Sequence, residues 1–320
     1  MVVTSRIAAA LAAVVIATAA PAQEFPTQPV HIISGFAPGS TADITARVIG
    51  AKMGQILGQQ FVTENRTGAS SSIAAASVAR APKDGYMLYV ANAANMVNAA
   101  MNPNLTFDII KDFAPIALLT STPTVLVVNP QVAAKSVKDL IALAKDKPDA
   151  ITFGSSGVGS STHLALELFK STGGVKITHV PYAGSPQVMT DLLAGRIDGF
   201  FSPASTAMEH VRAGKLTALA VTDATRSAFM PELPTMIEAG VPNFESVLWF
   251  GFLAPADTPR PIVDKLARAA NEALQSDDVA KALQAQVVAR IGGTPEEFAR
   301  YMEAEMKRWG AVVASAGLRK

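Results

Sequence analysis

The sequence predicts an α/β protein whose two domains are joined by strands that cross between them. Short apolar runs alternate with small-residue loops and helical patterns, which is typical of parallel sheets with helical crossovers. No low-complexity linker separates the two halves of the chain. Of the 320 residues, 298 remain after a leader of 22, and this length suits two domains of roughly 100 to 200 residues each.

The first 22 residues have the features of a secretory leader. Arg6 precedes the apolar run 7–20, and an AxA cleavage site ends at Ala22. The run is too short to span a bilayer, which needs about 20 apolar residues. We therefore expect export and cleavage after Ala22.

The composition excludes several classes of function. The chain has 27 basic and 26 acidic residues, and the leader contains one of the basic ones, so the mature chain is neutral. A neutral chain has no electrostatic basis for binding nucleic acid or an anionic membrane surface. The lack of cysteine excludes disulfides and thiol catalysis. The four histidines form no metal-binding motif, so we expect neither metal nor cofactor.

The first half repeats the order strand, small-residue loop, helix. Asp43 in a first helical turn suits the positive end of that helix. The turn 82–85 precedes a strand, and an irregular helix ends before Pro103. The predicted strands are 30–36, 61–65, 86–91, 114–119 and 125–129, and the predicted helices are 43–57, 73–79 and 92–101.

The second half continues the alternation and ends in helices. Ser136 with Asp139 forms an N-cap pair, and Gly195 and Gly214 follow helical patterns as C-caps. Thr294 before Pro295 marks the start of the last helix. The predicted helices are 137–147, 162–172, 186–193, 261–274, 279–286 and 295–313, and the predicted strands are 151–152, 177–180, 197–201, 216–221 and 247–254.

The loop at residues 154–163, GSSGVGSSTH, joins a strand to a helix and is the clearest candidate for a binding site. Small residues admit a ligand to the backbone, and hydroxyls at a helix start suit an anion. Ser160 stands where a P-loop needs lysine, the GxGxxG pattern ends on Thr162, and no GxSxG elbow is present. A plain capped turn is the alternative.

Four small-residue loops follow strands at equivalent points, and none contains lysine or arginine. They span residues 36–40, 154–162, 179–185 and 202–205. In open α/β sheets, ligands bind beyond the carboxyl ends of strands, where helix N-termini point outward. Backbone N–H groups and hydroxyls can hold a carboxylate, whereas a polyphosphate would be under-neutralised.

Several longer segments identify a family. They include FPTQPVHIISGFAPGSTADITAR, ENRTGASSS, APKDGYMLYV, FGSSGVGSSTHLALELF, HVPYAGSPQVMTDLLAGRID and WFGFLAPADTP, and they run nearly from end to end. The chain resembles the substrate-binding proteins of tripartite tricarboxylate transporters, the Bug or TctC family. The resemblance implies a type II periplasmic-binding-protein fold, the Venus flytrap, and a monomeric periplasmic receptor rather than an enzyme.

The resemblance also implies the organisation and partners of the protein. Residues 23–125 and 252–320 would form domain 1, and residues 126–251 would form domain 2. The cleft between them would close on a small organic carboxylate, a di- or tricarboxylate or an aromatic acid. The receptor would deliver it to the membrane permease subunits of a tripartite tricarboxylate transporter.

By the same resemblance, three loops line the cleft. His163 has an equal claim to be a cap or core residue, Asp43 is a helix-end charge, and Trp249 and Phe250 pack at the hinge. The expected ligand-binding residues are Phe36, Ala37, Pro38, Gly39, Ser40, Ser155, Ser156, Gly157, Ser160, Ser161, Thr162, His163, Tyr182, Ala183, Gly184 and Ser202.

The chain departs from the family pattern at three positions. Ser40 replaces a glycine and Ser202 replaces an acid found in many relatives, which favours plain carboxylates over amino acids. Ile109 replaces a proline. Two other functions remain open: a periplasmic sensor module for a signalling partner, and a secreted hydrolase using Ser160 or Ser161 with His163.

Overall fold

The computed structural model describes residues 25–315 and Gly317; the predicted leader and its cleavage site lie outside this part. A short 3₁₀ turn spans Ala69–Ser71. In chain order the elements are β1 (Val30–Ser34), α1 (Thr41–Leu57), β2 (Phe61–Asn65), α2 (Ser72–Ala79), β3 (Met87–Asn92), α3 (Ala93–Met101), β4 (Phe113–Thr122), β5 (Thr124–Val128), α4 (Val137–Asp146), β6 (Thr152–Ser155), α5 (Ser161–Gly173), β7 (Thr178–Pro181), α6 (Ser185–Leu193), β8 (Gly199–Pro203), α7 (Ala204–Arg212), β9 (Thr217–Val221), β10 (Leu248–Pro255), α8 (Arg260–Gln275), α9 (Asp277–Ala285), β11 (Ala289–Arg290) and α10 (Pro295–Ser315).

Two sheets form the frame of the protein. The first has the order β11-β4-β10-β3-β1-β2, and the second has the order β7-β6-β8-β5-β9. β1 pairs parallel with β2 and β3, and β6 pairs parallel with β7 and β8. β10 is antiparallel to β3 and β4, and β5 is antiparallel to β8 and β9. The sheets are therefore mixed rather than wholly parallel, because a strand that crosses between domains runs opposite to its neighbours.

The two crossings lie side by side. The chain leaves the first sheet at the end of β4 and joins the second at β5, with only Pro123 between them. It returns between β9 and β10, where Thr222 N–H donates to Thr124 O at 2.9 Å and Thr222 Oγ1 donates to Ser246 O at 2.6 Å. The hinge is thus a hydrogen-bonded pair of segments. The domain limits at 125/126 and 251/252 stay predictions.

Most element ends lie within three residues of those predicted, with two differences in type. The helix predicted to be irregular is regular in the structure, because Asn92 and Asn95 form a reciprocal capping box at the start of α3. The predicted loop 202–205 is also absent. Ser202 and Pro203 pair with β5 as the end of β8, and α7 follows at once.

Helices cover both sheets and enclose two apolar clusters beside each sheet. From here on, the first half of the molecule is the six-stranded sheet with its helices, and the second half is the five-stranded sheet with its helices. Leu164 of α5 packs in a first-half cluster with Trp249 and Trp309, whereas Val287 packs in a second-half cluster with Phe200. Each half therefore inserts side chains into the core of the other. In the described form, these contacts set the relative position of the loops that face the cleft.

Glycine is required at Gly251 in β10. A Cβ placed there would lie 2.2 Å from Phe298 Cζ and 2.9 Å from the carbonyl oxygen of Ala117. We expect Gly251→Ala to lower the free energy of unfolding by about 1–3 kcal/mol, measured by urea denaturation, because the core there is already full. Gly310→Ala is the control: it has open space inside α10 and should gain up to about 1 kcal/mol. Equal stability changes for the two variants would contradict this reading of the packing.

Candidate ligand-binding cleft

Two adjacent cavities lie between the halves. The small cavity has a volume of about 30 Å³, and its lining residues are Phe36, Ser40, Thr41, Ala42, Asn92, Ser156, Ser161, Thr162, Ser185, Pro203, Leu248 and Phe250. The large cavity has a volume of about 490 Å³, and its lining residues are Gly35, Phe36, residues 67–72, Asn98, Asn102, Leu105, residues 156–158 and residues 181–183. Phe36 and Ser156 line both, so the two cavities form one continuous cleft region.

Five helices begin at the small cavity. Thr41 and Ser161 are the first residues of α1 and α5, and Ser185 is the first of α6. Asn92 and Pro203 are the N-cap residues of α3 and α7. A helix N-terminus carries unpaired N–H groups and a partial positive charge. The small cavity is therefore a site of positive potential to which both halves contribute.

Among residues 25–315, no charged side chain lines either cavity. The counter-charge for an anion comes from backbone dipoles and hydroxyl groups alone. Among the described residues, the hydroxyl of Ser161 has no hydrogen-bond partner within the chain. Such a cavity suits the single charge of a carboxylate group and would leave a polyphosphate under-neutralised.

The glycine-rich loop is held in shape by its own side chains. Ser160 Oγ caps α5 by accepting from His163 N at 3.2 Å, and Thr162 Oγ1 accepts from Ser156 N at 2.9 Å. Gly157 and Gly159 have φ angles of 125° and 77°, which favour glycine. These bonds place the Ser156 side of the loop against the cleft.

Asp43 anchors the opposite loop. Its carboxylate, 3 % exposed, accepts from Gly39 N–H at 3.0 Å, from Arg47 Nε at 3.0 Å and from Asn65 Nδ2 at 2.8 Å. Burial alone would raise the pKa of Asp43, but these hydrogen bonds outweigh it and hold the pKa below its usual value. Asp43 is thus a fixed anion at the start of α1, and Ser40 caps that helix.

Two stacked histidines support the glycine-rich loop from behind. The rings of His163 and His179 lie 4.2 Å apart, and burial lowers the pKa of each to about 4. His163 Nδ1 accepts from Gly159 N–H at 3.2 Å, and His179 Nε2 lies 2.6 Å from Ser155 Oγ. Both rings are neutral near pH 7 and bond the loop rather than the cleft.

The structure brings half of the predicted site residues to the cavities. Those that line one or both are Phe36, Ser40, Ser156, Gly157, Ser161, Thr162, Tyr182 and Ala183. Those that line neither are Ala37, Pro38, Gly39, Ser155, Ser160, His163, Gly184 and Ser202.

Burial or a hydrogen bond within the protein explains why four of these residues do not face a cavity. Ser155 and Ser202 are fully buried, Ser160 caps α5, and the ring of His163 bonds Gly159. Ligand contacts stay predictions for all of the predicted residues.

Sequence reasoning missed several lining residues. Thr41, Asn92 and Ser185 stand at helix starts, a signal that was readable but that does not say which starts converge. Phe250 lines the small cavity, although it was predicted to pack at the hinge. Its neighbour Trp249 points to the other face of β10, where it packs 5.7 Å from Phe298, because side chains alternate along a strand.

A family model described as the tripartite tricarboxylate transporter family receptor, TctC, matches residues 45–318. The chain belongs to the TctC family. A solved structure described as a periplasmic transporter is 39% identical, with a TM-score of 0.88 over 92% of this chain and 99% of that one. Rpa4515 of R. palustris, solved with adipate, is 37% identical, with a TM-score of 0.88 over 92% and 99%. MatC of Rhodopseudomonas palustris, solved with malate, is 32% identical, with a TM-score of 0.85 over 90% and 100%.

These similarities confirm the predicted two-domain α/β periplasmic-binding-protein fold. The protein is a carboxylate-binding periplasmic solute receptor, and its family is one of solute-binding receptors rather than of enzymes. Within the described residues, no group of three histidine, aspartate or glutamate side chains is arranged to hold a metal ion. None of the helices in this part of the chain is both long and apolar enough to cross a membrane.

Proposed function

We propose that this TctC receptor captures one carboxylate group of a small organic acid, a di- or tricarboxylate, in the small cavity. It delivers the acid unchanged to the permease subunits of a tripartite tricarboxylate transporter. The observation that carries this proposal is the convergence of five helix N-termini on a cavity with no charged side chain. The mature receptor acts as a monomer in the periplasm after cleavage behind Ala22.

The available contacts are strong enough for capture. Each hydrogen bond to a charged group contributes about 1.5–3 kcal/mol, and a helix end contributes up to about 2 kcal/mol. Four or five such contacts, less the cost of ordering the ligand, reach the roughly −8 kcal/mol of a micromolar site. Because no lysine or arginine among the described residues lines the cavities, the ligand can leave without breaking an ion pair.

Contacts across the cleft indicate that the described form is closed. Thr41 Oγ1 of the first half lies 2.6 Å from Ser205 Oγ of the second, and Ser70 Oγ donates to the carbonyl of Val158. The small cavity holds only about 30 Å³, the space of one or two water molecules. A ligand therefore reaches it when the halves move apart.

A panel of carboxylic acids tests the proposal on the mature protein. A true ligand at about 100 times its Kd adds about 2.7 kcal/mol of stability, which raises the melting temperature by several degrees. We expect at least one small carboxylate to do so in a thermal-shift assay. If no aliphatic or aromatic carboxylate raises the melting temperature, the proposal is wrong.

Ser161→Ala tests where the carboxylate binds. The change removes the unpaired hydroxyl at the start of α5, so we expect the affinity for the ligand found in the panel to fall about tenfold or more. Stability should change little, because that hydroxyl has no partner within the described chain. Ser171→Ala is the matched control, since Ser171 is exposed near the other end of α5. Unchanged affinity in Ser161→Ala would place the carboxylate elsewhere.

The geometry supports binding rather than hydrolysis. Ser160 Oγ accepts from the backbone of His163, and Nδ1 of that histidine accepts from Gly159, so no serine of this loop has the His163 ring as its base. Ser155 does bond a histidine, but its exposed fraction is 0%. Incubation with ester substrates is expected to give no turnover.

A further inference from the structure

Segment 69–71 of the first half touches the glycine-rich loop of the second half directly. Ser70 Oγ donates to the carbonyl oxygen of Val158 in that loop. A Cβ placed on Gly159 would lie 3.6 Å from Ser70 Oγ and 3.6 Å from Met101 Sδ, at the end of α3. The glycine-rich loop is therefore in close contact with both segment 69–71 and α3.

The backbone of segment 69–71 has a conformation that L-amino acids disfavour. Ala69, Ser70 and Ser71 have φ angles of 46°, 51° and 72°, so three successive non-glycine residues lie in the left-handed region. Such a conformation persists only where the surroundings hold it. Contacts outside the segment must therefore keep Ser70 in its position.

The first half supplies these contacts by itself. Tyr89 of β3 is fully buried, and its hydroxyl lies 2.5 Å from Ser71 Oγ and accepts from Asn95 Nδ2 at 2.6 Å. Gly35, just after β1, leaves room for Ser71, because a Cβ there would lie 1.7 Å from Ser71 Oγ. The first half thus presents the Ser70 hydroxyl to the second half in a fixed position.

Two further contacts join the halves. Thr41 Oγ1, at the start of α1, lies 2.6 Å from Ser205 Oγ in the first turn of α7. Leu164 of α5 is fully buried in the same apolar cluster as Met101 of α3. Each of these contacts joins two groups of the protein directly. Closure therefore gains hydrogen bonds and apolar burial that do not depend on a ligand.

We propose that these contacts form a clasp that closes part of the receptor population before a ligand binds, and that Ser70 sets the size of this closed fraction. A ligand then increases a closed population that already exists. Loss of the clasp lowers the apparent affinity for every ligand by one common factor, because less of the protein is in the form that binds tightly. The inference goes beyond the proposed function, since it concerns the protein without ligand.

Spin labels measure the closed fraction in mature protein that has been unfolded and refolded to remove any ligand. The chain has no cysteine, so Ile73→Cys with Gln187→Cys places one label on each half. Both positions are exposed and lie beside cleft-lining residues. We expect pulsed dipolar spectroscopy to find at least about a tenth of the molecules at the label distance of the closed form. A smaller fraction would overturn the proposal.

Ser70→Ala in the labelled protein tests the clasp itself. The variant loses the donor to Val158, so we expect its closed fraction to fall at least about threefold without ligand. Ser171→Ala is the matched control, because Ser171 is exposed near the other end of α5, and its closed fraction should equal that of the parent protein. An unchanged closed fraction in Ser70→Ala would show that Ser70 does not set it.

Tyr89→Phe tests the same clasp from the side of its support, and it keeps the proposal testable if Ser70→Ala fails to fold. Without the hydroxyl beside Ser71, segment 69–71 loses a contact that holds it, so the closed fraction should again fall. Tyr86→Phe is the control, because its hydroxyl bonds Thr27, away from both cavities. Equal closed fractions in Tyr89→Phe and Tyr86→Phe would contradict the role of the held segment.

Discussion

Replacing Glu305 by alanine is expected to lower the free energy of unfolding by about 3–5 kcal/mol. Glu305 is 5% exposed, and its Oε2 accepts from Trp249 Nε1 at 2.8 Å and from Trp309 Nε1 at 3.0 Å. Its Oε1 accepts from Arg308 Nη1 at 3.1 Å. The alanine variant would leave two buried indole N–H groups without acceptors and remove the carboxylate beside a guanidinium.

Chemical denaturation of three variants measures this effect. Glu305→Gln keeps one acceptor oxygen and should lose less stability than Glu305→Ala. Glu303→Ala is the control, because Glu303 is exposed on the same helix, and its effect should stay within about 0.5 kcal/mol. A Glu305→Ala variant as stable as Glu303→Ala would show that the network contributes nothing.

The Glu305 network also reaches the hinge. Arg308 Nη2 donates to the carbonyl oxygen of Glu245 at 2.6 Å, just before β10 begins. Trp249 lies on β10 itself, between Phe298 and Tyr301 of α10. Helix α10 is thereby fixed to the returning crossing segment. Loss of Glu305 should consequently loosen the hinge as well as the core of the first half.

Acid is expected to destabilise the receptor between pH 6.5 and about pH 4 through His163. Burial lowers the pKa of His163 to about 4 in the folded chain, whereas the unfolded chain has the usual value of 6.5. The folded state therefore binds a proton less readily, and its stability is full above pH 6.5 and is lost as the pH falls towards 4. At about 1.4 kcal/mol per pKa unit, this loss is about 3 kcal/mol.

In the folded receptor, the binding loop itself should change only near pH 4, where His163 becomes protonated. A protonated Nδ1 no longer accepts from Gly159 N–H, and His179, whose pKa burial also lowers to about 4, stacks on the same ring. Through His163, the ligand affinity of the folded receptor should therefore fall only as the pH approaches 4, where the loop that carries Ser161 loses this bond. Urea denaturation from pH 7.5 to 4.5 measures the change in stability.

Two variants test the origin of the pH dependence. His163→Asn keeps an acceptor near Nδ1 but does not titrate, so its stability should vary less with pH than that of the wild type. His210→Asn, near the end of α7, should retain the wild-type dependence. Parallel curves for the wild type and His163→Asn would assign the acid sensitivity to other groups.

The fold class could be predicted because it depends on local patterns. Apolar periodicity, helix caps such as Ser136 and Thr294, and the alternation of strands and helices are readable without tertiary contacts. The direction of the crossing strands was not readable. The apolar character of β5 and β10 is the same in parallel and antiparallel pairing, so only the path of the chain between the halves sets their direction.

The roles of the serines in the candidate site could likewise be predicted only in part from the sequence. The composition of residues 154–163 indicates hydroxyls and N–H groups near an anion, but every serine there has the same chemistry. In the structure Ser160 caps a helix, Ser155 bonds His179, and Ser161 has an unpaired hydroxyl at the small cavity. The direction of each side chain decides its role, and that direction depends on the fold around it.

A two-domain α/β chain with cation-free loops after its strands could be predicted from the sequence, because each of these features is local or compositional. The receptor function followed from the resemblance to a family. The convergence of helix starts at Thr41, Asn92, Ser161 and Ser185 was decided by the tertiary structure alone. So was the buried contact of the Tyr89 hydroxyl with Ser71, which lines the large cavity, and with Asn95 of α3. These residues are far apart in the chain, and the sheet order and the paired crossings bring them together. Binding energy depends on several weak donors meeting at one point, which no single segment encodes.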